Sequence, residues 1–347
     1  MYIKKILWAI AIIGLFVFAG FAYYFYTAMF TPNTNFENNE QVIKIPSNSS
    51  YIDVRQQLKP LLKDIEKFDA LAKQKQYSSN IKPGLYVLKK DMSNNDIINI
   101  LRSRNTPITL TFNNQQSLHH LAGRISHQIE VDSISLLEAM LDQSFLKAHN
   151  FSKETALAMY LPNSYQFFWN TSAAEFRERM LKEYKRFWTK QRQLKAEANN
   201  LSPEEVMVLA AIVHEESKQK SEQPTIAGVY LNRLRIGMPL QADPTLKYAA
   251  YQLPQYKNTI IRRVLNKHKS IDSPYNTYLY KGLPPGLITM PDLSAVKAVL
   301  NPKKHQFLYF SADPERIGFH KFAKTLSQHN RNARRYQNYL SSQGILR

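Results

Sequence analysis

The stretch LSPEEVMVLAAIVHEESKQKSEQPTIAGVYLNRLRIGMPLQADPTLKY, residues 201–248, decides how this chain is built. Its opening is a strong helix start: Ser202 as cap, Pro203 at the first position and Glu204 and Glu205 in the first turn. From Val206 to Val213 the residues are apolar on every face, as in a helix threaded through a core. The run stops at His214-Glu215-Glu216-Ser217, so the helix should end near Ser217 or Lys218. A carboxyl there meets the negative end of the macrodipole and an apolar body, and both raise its pKa. A general acid working near neutral pH needs that shift. The plainer alternative is a solvated Glu pair at a helix end.

Working downstream, residues 224–236 predict a second helix stopped by Gly237, which returns Asn232 and Arg233 towards the first. Gln241-Ala242-Asp243-Pro244-Thr245 is expected to be extended, because a residue before proline avoids the helical region. It would line a groove with an amide, a carboxylate and a hydroxyl. Ser273-Pro274-Tyr275-Asn276-Thr277-Tyr278 and Gly282-Leu283-Pro284-Pro285-Gly286 follow as rigid loops bearing rings and hydrogen-bonding groups. Flat apolar faces rimmed by amides and hydroxyls suit sugars. His214-Glu215 starts like the H-E-x-x-H zinc motif, but Lys218 stands where the second histidine belongs. There is no P-loop, no G-x-S-x-G elbow and no dinucleotide fingerprint.

Upstream, Lys4 and Lys5 precede an uncharged run from Ile6 to Phe30, about 25 residues, enough to cross a bilayer core of ~30 Å. Its length exceeds a signal-peptide core and no small-x-small site follows, so an uncleaved single-span anchor is expected. Tyr23, Tyr24, Phe25 and Tyr26 read as an interfacial belt, and the flanking charges put the N-terminus in the cytoplasm and the rest outside. Residues 31–40 read as a polar linker. Residues 41–105 carry the pattern strand–helix–helix–strand–helix, with Ser50–Asp53 and Ser93–Asp96 as capping boxes. Residues 106–200 read as a connecting α+β region, with a strand over 108–112 and helices over 118–128, 133–141 and 173–188. Tyr160-Leu161-Pro162-Asn163-Ser164-Tyr165-Gln166-Phe167 reads as an aromatic turn, more often core than sugar platform. Residues 190–200 read as a polar hinge. The 347 residues include no cysteine, so there is no disulfide framework and no thiolate chemistry. The net charge of +19 admits an anionic partner, but the basic residues are dispersed and no nucleic-acid motif accompanies them.

The blocks AAIVHEES (210–217), VYLNRL (229–234), MPLQADPT (238–245), SPYNTY (273–278) and GLPPG (282–286), in this order, resemble the MltG/YceG-like endolytic murein transglycosylases. So do FLYFSA (307–312), GFHKF (318–322) and His329-Asn330. The similarity runs over nearly the whole chain and is strongest from about 201 to 330. In that family the central helix usually ends I-E-K-E-T with the catalytic acid second; the resemblance puts that acid at Glu216, with His214 in place of the first glutamate and Ser217 in place of threonine.

What the resemblance implies is an α+β protein: a transmembrane helix within 1–30, a LysM-like module over 41–105 and a catalytic domain over 201–347. Glu216 would act as acid and then base, with the muramic acid 6-hydroxyl attacking its own anomeric carbon to leave a 1,6-anhydro end. Ser217, Asn232, Arg233, Gln241, Asp243, Thr245, Tyr275, Asn276 and Tyr278 are the candidate substrate-binding residues. No cofactor or metal is implied. Glycan strands and the membrane are the expected partners, with glycan polymerases implied by the family alone. A hydrolytic muramidase, needing a second carboxylate about 5–9.5 Å away, and a non-catalytic glycan-binding scaffold are the alternatives; a membrane-tethered nucleic-acid binder ranks third.

Overall fold

The computed structural model describes residues 2–256, 259–261 and 263–343. Met1, at the head of the expected anchor, and residues 344–347, at the end of the expected catalytic region, lie outside them. The fold is mixed α+β and divides into two compact units.

The first unit comprises residues 1–110, 127–131 and 165–172. It begins with α1 (Tyr2–Phe30), long and apolar enough to cross a membrane. Its last turns do not simply end: Phe25 and Met29 pack against the core of this unit, and Ala28 is buried. β1 (Glu40–Ile45) pairs antiparallel with β2 (Gly84–Lys89), from Glu40↔Lys89 to Ile45↔Gly84. Between them run α2 (Tyr51–Leu58) and α3 (Ile65–Gln74), and after them α4 (Asn94–Ser103). Ser50–Asp53 and Ser93–Asp96 form the two expected capping boxes. Ile43, Ile45, Leu58, Phe68, Leu88 and Ile97 fill the core between ribbon and helices.

Residues 31–40, read as a linker, are stitched into this unit over their first half. Asn33, 5% exposed, donates its amide N–H to Met92 O (2.8 Å), and its side chain bonds Asp64 O, Asp64 N and Asn94 Oδ1 (2.7–2.8 Å). Asn94 in turn donates to Ala28 O at 2.8 Å. A short asparagine can satisfy buried backbone groups on three segments at once, which an Asn-rich composition does not reveal.

β3 (Pro107–Phe112) pairs with a later strand, residues 163–168. The second unit holds residues 111–126, 132–164 and 173–347. It starts with α5 (Leu118–Ser126), α6 (Ser133–Met140) and α7 (Gln143–Ala148). The chain then forms β4 (Asn163–Phe168), where the sequence suggested a turn: Tyr165 and Phe167 face inwards while Gln166 and Phe168 face solvent. That alternation, with Tyr160 wholly buried, makes these rings core. α8 (Ala173–Phe187) is amphipathic as expected. Residues expected as a hinge form α9 (Lys190–Ala198), capped by Thr189 and buried only through Ala196, so its polar surface hid its helicity.

α10 (Pro203–Glu216) has the complete Ser202–Glu205 capping box and buries every residue from Val206 to His214. α11 (Gln223–Arg235), α12 (Asp243–Tyr251), the short α13 (Asn266–Lys269) and α14 (Leu293–Leu300) follow, with α11, α12 and α14 all packed on α10. The extended reading of residues 241–245 fails at Asp243, where α12 opens. Pro244 sits in its first turn, where a missing N–H costs nothing. β5 (Tyr309–Ala312) pairs antiparallel with β6 (His320–Ala323), and α15 (Leu326–Ser342) packs on both.

Candidate active site

α10 ends where its apolar body ends, and that termination presents Glu216 to a cavity of about 260 Å³. Five further segments complete the wall. Three residues apart, and so on one face of α11, Tyr230 and Arg233 approach from one side. Gln241, held at φ +49° with its N–H on Thr277 O, and Asp243 come from the turn into α12. Tyr278 comes from the 273–278 loop, Tyr309 and Phe310 from β5, and Leu326 and His329 from α15.

The two glutamates part company here. Glu215 is exposed and pairs with Lys218 at 3.3 Å. Glu216 keeps partial access to the cavity, but its carboxyl is enclosed and accepts one hydrogen bond, from Tyr230 Oη at 2.7 Å. Burial pushes its pKa up from 4.5 to about 7; the Tyr230 hydrogen bond opposes this, Asp243 adds to it, and Arg233 and Lys247 oppose it. Tyr230, itself buried beside that carboxyl, is pushed well above the usual phenol range and stays a donor.

Arg233 is 6% exposed and spends its guanidinium on the backbone: Nε on Leu308 O (2.6 Å) and Nη1 on Leu240 O (2.6 Å). It therefore pins the start of β5 and the turn before Gln241 around the cavity, with its cation 5.4 Å from the Tyr309 ring. Tyr278 Oη donates to Asp243 Oδ1 at 2.7 Å, fixing the second carboxylate of the cavity. His329 stacks on Tyr309 (centroids 5.4 Å apart, 25°), and its Nδ1 has no hydrogen-bond partner among the described residues. Burial, then Arg233, hold this imidazole below the usual histidine range.

Of the residues singled out from sequence, Glu216, Arg233, Gln241, Asp243 and Tyr278 share this cavity. The other five do not line it. Ser217 is buried at the helix end, where its Oγ accepts from Gln219 N. Asn232 braces the approach to β5 by donating to His305 O and Phe307 O (2.9 and 3.0 Å). Thr245 is fully buried, bonded to Ala242 O and Thr277 Oγ1. Asn276, equally buried, donates to Lys269 O and Ile271 O. Tyr275 faces Tyr248 instead. These polar side chains hold the loops that carry the cavity residues.

Tyr230, Tyr309, Phe310, Leu326 and His329 were not picked out as site residues. Tyr230 is the instructive omission: it lies on the α11 face already marked by Arg233, and that three-residue spacing was a usable signal. His214, two residues before Glu216, lies on the far side of α10. Its Nε2 is 2.9 Å from Asn114 Nδ2 and its Nδ1 3.5 Å from Asp292 Oδ2, so it packs the helix and leaves the cavity alone. Among the described residues no group of three or more His, Asp or Glu could hold a metal.

The YceG-like family matches residues 43–335. The endolytic murein transglycosylase of Bacillus subtilis is 31% identical over 313 residues, which is 85% of this chain and 84% of the relative. The protein of the same name from Streptococcus pneumoniae is 29% identical over 298 residues, 78% of this chain; the chain spans about half of that relative, 53%. The crystal structure of a YceG-like protein from Listeria monocytogenes superposes with a TM-score of 0.56 at 27% identity, covering 85% of this chain and 99% of that one.

Proposed function

Since the chain belongs to the YceG-like family, we propose that it is a membrane-anchored endolytic murein transglycosylase with Glu216 as its acid and base. The observation that carries this is the enclosed Glu216 carboxyl, its pKa raised to about 7 by burial, in a cavity lined by rings and hydrogen-bonding groups. Protonated, Glu216 gives its proton to the glycosidic oxygen between N-acetylmuramic acid and N-acetylglucosamine as the C1–O bond breaks. The carboxylate then takes the proton of the muramic acid 6-hydroxyl, whose oxygen closes on C1. The products are a free 4-hydroxyl on the leaving strand and a 1,6-anhydro end, with no water consumed. Tyr230 steadies the carboxylate form between these steps, and Arg233 keeps the walls in place. Tyr278 and Asp243 orient the sugar.

With α1 in the bilayer and Lys4 and Lys5 on the cytoplasmic side, both units work outside the cytoplasmic membrane, where glycan strands emerge. Residues 41–105 act as a LysM-like glycan-holding module, 106–200 connect, and 201–347 cut; glycan polymerases are the natural neighbours. Asp243 keeps a second reading in view, hydrolysis by a muramidase, because its carboxylate lines the same cavity. The test incubates the full chain and its Glu216→Gln form, both in detergent, with uncrosslinked glycan strands. Mass spectrometry of the fragments should show anhydro ends from the wild type alone. Reducing ends in their place favour the muramidase; equal cutting by both proteins removes Glu216 from the mechanism. No cutting, with binding retained, leaves a scaffold.

A further inference from the structure

Behind the acid, contacts within the second unit close into a ring. Directly after Glu216, the Ser217 carbonyl accepts from Gln223 Nε2 at 3.1 Å, so the end of α10 is tied to the start of α11. Beside Gln223 stands Glu222, 8% exposed, at the cap position of α11. Its carboxyl makes no capping bond and reaches β6 instead. Oε1 accepts from the His320 backbone N–H at 2.9 Å, and Oε2 from His320 Nδ1 at 3.0 Å. Burying a carboxylate is costly unless its oxygens are satisfied. Here both are satisfied by one residue of one strand. Neither Glu222 nor His320 lines the Glu216 cavity.

The β5–β6 ribbon carries this contact back to the acid. His320 lies opposite Ala312 and Phe322 opposite Phe310, so Phe310 and His320 are diagonal neighbours on one face. Their rings meet edge to face, with centroids 5.2 Å apart at 80°. Phe310 meets Tyr230 in the same way, 5.9 Å apart at 89°. Tyr230 then donates to Glu216 at 2.7 Å, which closes the ring. Phe310 and Tyr230 both line the cavity, where together they occupy wall that water would otherwise fill.

We infer that Glu222 and His320 are positioning residues for the acid: their pair fixes the β5–β6 ribbon so that Phe310 rests on Tyr230 and keeps water from the Glu216 carboxyl. This rests on the reading of Glu216 as the acid. Without the pair the ribbon is free to lift, water reaches the carboxyl, and the burial that holds it protonated is lost. The charges facing Glu216, namely Asp243, Arg233 and Lys247, stay in place.

The test follows kcat/KM against pH for the full chain in detergent on uncrosslinked glycan strands. In Glu222→Ala the alkaline limb should move from about 7 towards 4.5. A displacement of about one pH unit, the ordinary spread of carboxyl values in proteins, lowers kcat/KM at pH 7 about fivefold. Glu222→Gln keeps an oxygen for the His320 N–H and an amide for Nδ1, so its limb should stay with the wild type. His320→Asn keeps the backbone N–H and a side-chain donor but removes the ring under Phe310; its limb should also move down, and it stands alone where Glu222→Ala does not fold. Limbs of Glu222→Ala and His320→Asn that coincide with the wild type, whatever their rates, overturn the inference while the acid reading stands. A limb displaced equally by Glu222→Gln and Glu222→Ala makes the charge decisive and overturns it too. No alkaline limb in the wild type removes the acid reading, and the inference with it.

Discussion

Glu216 carries most of what can be tested at the level of single residues. A general acid with a pKa near 7 works below that value, so kcat/KM should fall as pH rises through about 7. Glu216→Gln should lower the rate by about 10²–10⁴-fold, the usual share of a positioned acid–base group. Tyr230→Phe removes the hydrogen bond that favours the carboxylate, so the alkaline limb of the profile should move to higher pH. A limb that stays put would take Tyr230 out of the acid's environment. The same shift governs stability. Between about 4.5 and 7 the folded chain holds a proton that the unfolded chain has released, so stability falls as pH rises through that window and is level above it. Glu216→Gln should therefore be more stable than wild type at pH 8, by an amount on the order of 2–3 kcal/mol, and not at pH 4. Urea titrations at the two pH values check this. A carboxyl closing an apolar helix marked the Glu215-Glu216 pair in sequence, and only the family resemblance singled out Glu216, the one the structure places at the cavity. His329 was quoted only as part of a family block; nothing near it in the chain announces that α15 would bring it into one cavity with a residue more than a hundred positions earlier.

At the scale of elements, caps were readable and polar helices were not. Ser202, Ser50 and Ser93 announced α10, α2 and α4 because a capping box is a local bargain between a side chain and its own backbone. Ser202→Ala should cost α10 about 1 kcal/mol, seen as a lower urea midpoint with little change in the pH profile. β4 and α9 escaped because their identity is settled by partners: β3 for the strand, and for the helix the surface that buries Ala196 alone. The GLPPG stretch was legible as a loop, but the reason for its last glycine was not. Gly286→Ala must push the loop off Glu154 O and should cost about 1–3 kcal/mol. Gly282→Ala is the instructive control in space, meeting no atom within 4 Å, though its φ of +88° adds backbone strain of its own.

For the whole molecule, the length and apolar character of the N-terminal helix were legible in sequence, and the packing of its end on a folded core was not. A chain beginning after Phe30 loses Phe25 and Met29 from that core and the Ala28 carbonyl that Asn94 uses. Amide exchange in α4 should then quicken while α10 stays protected; unchanged α4 protection would mean the helix is only a tether. The stitching around Asn33 has a mechanical meaning as well. If α1 anchors the chain as proposed, a first unit stitched to the end of that helix cannot sweep through the wall on a leash. On that proposal a strand would enter its territory by being made there, and the protein would work in a thin shell above the membrane, leaving mature, distant wall untouched.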